Sequence, residues 1–367
     1  MEELYCQGCG VLIQTIDPQA PGYTPTSSLE KENILCKRCF RLKHYNEIQD
    51  VAITDDDFLK MVSSIRNANG LVVHVIDIFD VHGSLIKSLP RIVGNNPIVL
   101  VGNKVDLLPK STNKRKLEHW LRASAKEAGI NVKEVCLISS TKGYGMKELA
   151  EVIEEQREQR DVYIVGTTNV GKSTFINRLI KQSTGYSEVI TTSYFPGTTL
   201  GFIEIPLDDH TSLIDTPGIV NRQQIAHYVS DQDLKLITPN KEIKPRVYQL
   251  NSGQTLYFGG LARLDFVKGK RTSFICYFSN QIPIHRTKLE NAEELYEQHI
   301  GDLLSPPDEK TLEVLPELKE SAFKLTGGDK TDVVFPGLGW VSVVADDITV
   351  TVHSPKEVSA SIRKSLL

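Results

Sequence analysis

Short apolar runs separated by amphipathic segments dominate the middle of the chain. The runs are rich in Val, Ile and Leu, which is typical of strands buried on both faces of a parallel sheet. They cover 71–77, 97–103, 132–139 and 162–166, and helical periodicity marks Lys114–Ala128 and Met146–Gln159 between them. This alternation predicts an α/β fold with a mostly parallel sheet and helices on both of its faces.

The segments on either side of this region have different patterns. The first 50 residues carry two C-x-x-C pairs and little periodicity, and after about Asn221 strand-like pieces and turns replace the strand–helix alternation. We therefore predict three domains: a cysteine module over 1–50, the α/β domain over 51–222 and a β-rich domain over 223–367.

Composition excludes several classes of protein. The 367 residues are 40% hydrophobic and 24% charged, as in ordinary globular proteins, and the net charge of -4 gives no whole-chain signature of nucleic-acid binding. No apolar run approaches the roughly 20 residues of a membrane span, and the N-terminus lacks the pattern of a signal peptide. Paired cysteines in such a chain indicate a metal site in a reducing cytoplasm. We expect neither a membrane nor DNA as a partner.

A phosphate-binding loop is the strongest single motif. The segment from Gly166 to Ser173 reads GTTNVGKS, follows an apolar strand and precedes a helical stretch. Glycines let the backbone N–H groups turn inward around phosphate oxygens, and the helix N-terminus adds partial positive charge. Lys172 is expected to reach the β- and γ-phosphates, and the Ser173 hydroxyl to bind Mg²⁺. The remaining expected nucleotide contacts of this loop are Asn169, Val170, Gly171 and Thr174.

Two further segments extend the phosphate site. DTPG begins at Asp215, whose carboxylate is expected to hold Mg²⁺ through water, and ends at Gly218, whose N–H is expected to meet the γ-phosphate. Between the loop and DTPG lies PGTT, in which Thr198 and Thr199 are candidate nucleotide contacts and Thr199 a candidate Mg²⁺ ligand. On local grounds this stretch also suits a simple surface loop.

The motif that selects the base comes earlier in the chain. Asn103, Lys104 and Asp106 belong to NKVD, directly after a strand. The Asp106 carboxylate can accept hydrogen bonds from N1–H and the exocyclic amine of guanine, whereas adenine would leave it unpaired. A second strand end carries Ser139, Ser140 and Thr141, where a backbone N–H could meet guanine O6.

Together these motifs resemble those of the translation-factor-related GTPases, but in a rotated order. The chain reads NKVD, SST, GTTNVGKS, PGTT, DTPG, whereas most relatives begin with the phosphate loop. That order is the mark of a circularly permuted GTPase. A compact domain tolerates such a permutation when its original termini lie close together, because each strand keeps the same neighbours in the sheet. The resemblance implies GTP and GDP as ligands, with Mg²⁺. The segment after Asp215 then leads directly into the C-terminal region.

The catalytic group that positions water is not evident. Ile219 follows Gly218, where many relatives have glutamine, and it cannot orient a water molecule. Asn169 resembles the asparagine of potassium-activated relatives, in which K⁺ stabilises developing charge, but an asparagine also suits a tight turn. We expect slow intrinsic hydrolysis that K⁺ or a partner raises.

The four N-terminal cysteines predict a structural zinc site. Cys6 and Cys9 form one C-x-x-C pair and Cys36 and Cys39 the other, so that two knuckles can hold Zn²⁺ tetrahedrally. A redox pair is the alternative. Basic residues surround the second knuckle and suit either RNA contact or a solvated surface: Lys37, Arg38, Arg41, Lys43 and His44.

The C-terminal region between Lys235 and Lys288 is rich in basic residues interleaved with aromatics, which suits RNA contact, although a sheet core is the better interpretation of most aromatics. Together with the cysteine module and permuted motifs, it resembles the bacterial YqeH group of GTPases. The resemblance implies assembly of the small (30S) ribosomal subunit, with rRNA or ribosomal proteins as partners. A nucleotide-gated binding factor with negligible hydrolysis, and a GTPase signalling to a protein unrelated to ribosomes, are the alternatives.

Overall fold

The computed structural model describes residues 4–7, 11–18, 20–29, 34–45, 52–53, 65–183, 203–216, 218–219, 221–344 and 346–367. The chain forms two compact units. The first contains Met1–Val105 and Lys114–Asn221, and the second contains Asp106–Asn113 and Arg222–Leu367. Among the described helices, none is long and apolar enough to cross a membrane.

The first unit contains the predicted α/β region. Its strands are β1 Ala52–Ile53, β2 Gly70–Asp77, β3 Ile98–Asn103, β4 Glu134–Leu137, β5 Asp161–Val165, β6 Ile203–Pro206, β7 Ser212–Asp215 and β8 Gly218–Ile219. Its helices are α1 Lys37–Tyr45, α2 Val81–Ser84, α3 Leu89–Val93, α4 Lys114–Glu127, α5 Met146–Arg157 and α6 Lys172–Ser183, with a 3-10 turn at Thr26–Ser28. The two helices predicted from periodicity are therefore confirmed, each ending one or two residues earlier than expected.

A six-stranded sheet forms the centre of this unit, in the order β4-β3-β2-β5-β7-β6. All neighbours are parallel except β6, which runs antiparallel to β7. The side chains of β3 are buried throughout, as the unbroken apolar run requires. Leu149 of α5 and Phe175 of α6 belong to the same buried cluster as Val73 and Val101 of the sheet. The predicted mostly parallel α/β fold is confirmed.

The second unit is rich in β-structure, as predicted. Its strands are β9 Arg246–Leu250, β10 Gln254–Phe258, β11 Ala262–Lys268, β12 Thr272–Phe278, β13 Ile284–Lys288, β14 Leu318–Leu325, β15 Lys330–Phe335, β16 Gly339–Val344, β17 Ile348–Pro355 and β18 Ser361–Lys364. Its helices are α7 Asp231–Ile237, α8 Ala292–His299 and α9 Glu309–Val314, with 3-10 turns at Ile225–His227 and Leu289–Asn291.

These strands form two antiparallel five-stranded sheets, ordered β13-β10-β11-β17-β14 and β18-β15-β16-β12-β9. A single apolar cluster joins residues of both sheets, including Phe258 and Phe266 from one and Phe278 and Phe335 from the other. Within it the rings of Phe258 and Phe278 stack, with centroids 4.1 Å apart.

Candidate functional site

The carboxyl ends of the parallel strands bring the predicted motifs to one edge of the sheet. Asp77 and Asn103, the last residues of β2 and β3, are register partners. Asp215, the last residue of β7, pairs with Ile164 of β5, and the phosphate loop begins immediately after β5. Ligands of open α/β sheets bind at this edge, where loops of neighbouring strands meet.

The phosphate loop has the backbone of an anion-binding cradle. Asn169 and Gly171 adopt left-handed conformations, with φ of 63° and 87°. A Cβ atom on Gly171 would lie 2.6 Å from Asn103 Nδ2, and one on Gly166 would lie 2.6 Å from the Val75 carbonyl oxygen. Both glycines are therefore required by close contacts, and α6 begins directly after them at Lys172.

The polar side chains of the loop fit a phosphate ligand. Lys172 is a large cation that is only 1% exposed, and Ser173 is also buried, whereas Thr174 is exposed. The hydroxyl oxygens of Thr167 and Thr168 are buried and make no hydrogen bond to any described residue. Buried hydroxyls without a partner are costly, and phosphate oxygens would satisfy them.

Asn103 joins the base motif to the phosphate loop. Its Nδ2 donates to the Val170 carbonyl oxygen at 2.9 Å. Its Oδ1 accepts from the Ser140 N–H at 3.0 Å and from the Ser140 hydroxyl at 2.9 Å. Because Asn103 is 1% exposed, these bonds are made away from water and fix the three loops relative to one another.

Lys104 makes a second link between the same loops. Its Nζ donates to Asp77 Oδ2 and to the Asn169 carbonyl oxygen, each at 2.7 Å. The residue has φ of 66°, a left-handed conformation that is unusual for a lysine and directs the chain out of β3. Asp106 follows in a 3-10 turn at Val105–Leu107 and is half-buried.

The Ser139–Thr141 loop is held by its own bonds and by α6. The Ser139 hydroxyl accepts from the Lys142 N–H at 3.0 Å. Arg178 of α6 donates to the carbonyl oxygens of Ser140 and Thr141, at 3.2 and 3.0 Å. The helix that begins at the phosphate loop therefore also supports the loop predicted to meet the base.

The DTPG segment lies alongside the phosphate loop. In β8 the Ile219 N–H donates to the Gly166 carbonyl oxygen, and the Ile219 carbonyl oxygen accepts from the Thr168 N–H at 2.9 Å. Its other edge pairs in parallel with β1, with Ala52 opposite Gly218 and Ile53 opposite Ile219. The segment is thus hydrogen-bonded to the phosphate loop on one edge and to an N-terminal strand on the other.

Arg38 has a different place from the one predicted for it. The sequence groups it with basic residues for RNA contact or a solvated surface, but its side chain is buried and its Nη2 donates to Asp215 Oδ2 in an ion pair. That prediction is wrong for Arg38, because its partner comes from a strand 177 residues away. Asp215 itself is 1% exposed.

Some predicted residues lie outside the described part of the chain: Cys9, Thr198 and Thr199. Conversely, sequence reasoning missed Asp77, Arg178 and the role of Arg38. Asp77 carried a recognisable signal, since it is a carboxylate at the end of an apolar strand. Arg178 had none, because basic residues are common on exposed helix faces.

The N-terminal cysteines that are described form a cluster. The ligand atoms of Cys6, Cys36 and Cys39 all lie within 4.8 Å of one another, and all three residues are buried. The Cys36 N–H donates to Cys6 Sγ at 3.1 Å, a bond expected for a metal-bound thiolate. Three convergent sulfur atoms fit a tetrahedral Zn²⁺ site, for which Cys9 is the predicted fourth ligand.

Known proteins resemble this chain along its whole length. Residues 161–253 match the family model described as "50S ribosome-binding GTPase", and residues 271–366 match the model described as "YqeH-like, C-terminal". The Bacillus subtilis protein named "Uncharacterized protein YqeH" is 56% identical over the full length of both chains. The chain belongs to the YqeH family of circularly permuted GTPases.

More distant YqeH relatives also align along nearly the whole chain. "NO-associated protein 1, chloroplastic/mitochondrial" of Arabidopsis thaliana is 30% identical over 98% of this chain and 76% of its own length. "Nitric oxide-associated protein 1" of Mus musculus is 25% identical over 99% and 75%. As a GTPase of this family the chain is a GTP-binding protein, and its GTPase domain implies GTP, GDP and Mg²⁺ as ligands.

The basic residues between Lys235 and Lys288 fall into two groups. Arg246 donates to the Ile282 carbonyl oxygen at 2.6 Å, and Arg263 is buried and paired with Asp265 at 2.8 Å, so both hold the domain together. The others are exposed: Lys235, Lys241, Lys244, Lys268, Lys270, Arg271, Arg286 and Lys288. The aromatics are buried or half-buried, which confirms their interpretation as core residues.

Proposed function

We propose that this protein is a GTP-hydrolysing switch that binds a precursor of the small (30S) ribosomal subunit in one nucleotide state and leaves it in the other. The observation that carries the nucleotide part is the Asn103 bridge, which joins the base-selecting loop to the phosphate loop. Such a bridge makes guanine recognition and phosphate binding parts of one site.

The geometry refines the proposed base contacts. Asp106 accepts from guanine N1–H and the exocyclic amine, while Lys104, held by Asp77, covers the base. The N–H groups of Ser139 and Ser140 already donate to the Tyr144 carbonyl oxygen and to Asn103 Oδ1. The Thr141 N–H is therefore the amide that we assign to guanine O6.

For the phosphates, Lys172 binds the β- and γ-oxygens, and the hydroxyls of Thr167 and Thr168 lie beside them. Bound Mg²⁺ would neutralise charge that develops on the β- and γ-phosphates, with Ser173, Thr199 and Asp215 as its proposed ligands. Gly218 offers its N–H to the γ-phosphate. Ile219 cannot position water, so we propose slow intrinsic turnover, raised by K⁺ near Asn169 or by the ribosomal partner.

Three features support a ribosomal partner. Residues 161–253 match the ribosome-binding GTPase model. The C-terminal domain has exposed basic residues, and the cysteine module suits RNA. The model's description refers to the 50S subunit, whereas the YqeH resemblance implies the 30S subunit. The partner is accordingly rRNA or a ribosomal protein, in the cytoplasm.

Co-sedimentation tests this proposal. The purified protein is mixed with 30S or 50S particles in Mg²⁺ and K⁺, with GDP, a non-hydrolysable GTP analogue or no nucleotide. We expect pelleting with 30S that depends on the nucleotide, and loss of that dependence in Lys172→Ala. Pelleting with 50S alone would assign the other subunit, and no pelleting in any state would favour a non-ribosomal partner.

Single-turnover hydrolysis with and without 30S particles separates the switch from a nucleotide-occupancy sensor. We expect phosphate release that 30S particles accelerate. GTP that remains intact in their presence would leave only nucleotide-gated binding.

A further inference from the structure

We propose that Arg38 and Mg²⁺ compete for the Asp215 carboxylate, so that binding of Mg²⁺ with nucleotide releases α1 of the cysteine module from the G domain. This inference rests on the proposed Mg²⁺–GTP site. It assigns to Arg38 a role in reporting the nucleotide state to the N-terminal module.

Arg38 and Asp215 form a buried ion pair that a second cation would disturb. Asp215 and Arg38 are 1% and 5% exposed, so each carries a charge that is stable only beside an opposite charge. In this conformation Arg38 provides that charge through Nη2. Mg²⁺ held by the same carboxylate, directly or through water, would provide twice the charge and repel the guanidinium at close range. Each cation therefore weakens the binding of the other at this carboxylate, which is the competition that we propose.

Arg38 belongs to the second C-x-x-C pair of the cysteine module. It lies between Cys36 and Cys39, whose sulfur atoms belong to the metal-binding cluster. A displacement of its guanidinium must be taken up by its side chain, by the knuckle or by α1, which begins at Lys37. Movement that the side chain alone does not absorb therefore reaches the two neighbouring cysteines and the start of α1.

The backbone makes a second connection, between the phosphate loop and the strand that follows the cysteine module. β1, which follows the cysteine module, pairs in parallel with β8, and β8 carries Gly218 and is bonded to the phosphate loop. Nucleotide contacts at Gly218 would therefore act on β1 while Mg²⁺ acts on Arg38. The side-chain contact thus reaches the cysteine module itself, and the backbone contact reaches the strand that follows the module in the chain.

Hydrogen exchange on the wild-type, zinc-loaded protein tests the release directly. Peptides covering residues 34–45 are followed without nucleotide, with a non-hydrolysable GTP analogue alone, and with the analogue and Mg²⁺. We expect exchange at least five-fold faster only when both are present. Exchange that Mg²⁺ and nucleotide leave unchanged would overturn the inference, whatever any variant does.

A Mg²⁺ titration of nucleotide binding tests the competition. We expect Arg38→Ala to lower the Mg²⁺ concentration at half-maximal binding of a fluorescent GTP analogue at least five-fold, because the competing cation is gone. Arg38→Lys, which keeps a cation, should stay near wild type, and so should the control Lys37→Ala, whose ammonium lies 6.0 Å from the Tyr23 ring. Zinc content and circular dichroism establish that each variant is folded.

The outcomes are distinguishable. No binding of the analogue by wild type at any Mg²⁺ concentration would contradict the proposed function itself. Normal binding with equal Mg²⁺ midpoints in wild type and Arg38→Ala would contradict only the competition. A raised midpoint with slower hydrolysis would also contradict it, and would instead make Arg38 a ligand of the bound nucleotide.

Discussion

Asn103 and Val170 are joined by a hydrogen bond of 2.9 Å, although 67 residues separate them in the chain. The same asparagine accepts two bonds from Ser140. Asn103→Ala would leave three buried polar groups without their partner, which we expect to lower the free energy of unfolding by about 2–4 kcal/mol and to weaken GTP binding. Urea denaturation in a Trp340→Phe background, which leaves Trp120 as the single tryptophan, measures the first effect by fluorescence. The exposed Asn131→Ala is the control and should change neither quantity.

Asp106→Asn is expected to change the base preference. An amide can donate to a carbonyl at C2 of xanthine, whereas the carboxylate only accepts. We expect GTP affinity to fall and xanthosine triphosphate affinity to rise, each by about 10–100-fold, the equivalent of roughly 1–3 kcal/mol. Competition between the two nucleotides measures the change. Equal losses for both would mean that Asp106 supports the loop without contacting the base.

Lys172→Ala should weaken GTP binding by about 10–100-fold, because a charge-assisted hydrogen bond in a buried site contributes roughly 1.5–3 kcal/mol. Hydrolysis should fall below detection, since the lysine also stabilises charge in the transition state. Titration calorimetry and phosphate release are the measurements. The exposed Lys147→Ala serves as the matched control, and unaltered binding in Lys172→Ala would remove this lysine from the phosphate site.

Substitution of Cys36 and Cys39 by serine should release one zinc ion per chain and unfold the cysteine module. GTP binding should remain, with the Mg²⁺ requirement lowered as in Arg38→Ala. Metal analysis, circular dichroism and nucleotide titration test these points together. If nucleotide binding disappeared as well, the G domain would need the module in order to fold, and the predicted boundary near residue 50 would be wrong.

His74 should make the G domain sensitive to mild acid. Burial lowers the pKa of this imidazole from 6.5 to about 4, against the raising effect of its bond to the Val165 carbonyl oxygen. Its Nε2 accepts from the Ile86 N–H at 3.3 Å, so the neutral ring is the one that fits. Between pH 6.5 and 4 only the unfolded state gains the proton, and stability therefore falls as the pH is lowered through that window.

We expect this histidine to cost the folded G domain about 2 kcal/mol between pH 7 and pH 5. His74→Gln has no titrating ring, so its pH dependence over this interval should be smaller by that amount, whatever its absolute stability. Urea denaturation at both pH values, followed by Trp120 fluorescence in the same Trp340→Phe background, measures the difference. An identical slope in wild type and variant would show that the ring is not responsible.

The sequence predicts the local motifs of this protein well, and the long-range pairings poorly. The phosphate loop is recognisable because its glycines, lysine and serine act within one turn, and the strands because burial on both faces requires continuous apolar runs. The ion pair between Arg38 and Asp215 depends on where the N-terminal segment lies relative to the end of β7, and no hydrophobic periodicity predicts that position.

The same limitation applies to the expected route of nucleotide signalling. The order of motifs indicates that the DTPG segment leads into the C-terminal region, and in the chain it does. The order does not indicate which strands the segment is hydrogen-bonded to. Gly218 and Ile219 pair with β1, close to the cysteine module in sequence. Strands of two residues carry almost no hydrophobic pattern, so this pairing has no signal that sequence reasoning could detect.

The sheet order β4-β3-β2-β5-β7-β6 also bears on how the chain acquires its site during synthesis. Strands β2 to β4 are contiguous in sequence and form one half of the sheet, while β5 to β7 form the other half. Among the described strands, the backbone hydrogen bonds that join the two halves are those between β2 and β5. The base-binding half therefore leaves the ribosome before the phosphate-binding half, and because a domain generally folds as one unit, the site is completed only after both halves have emerged. Nucleotide binding then requires that β5 has paired with β2, because the base-binding and phosphate-binding residues come from the two halves.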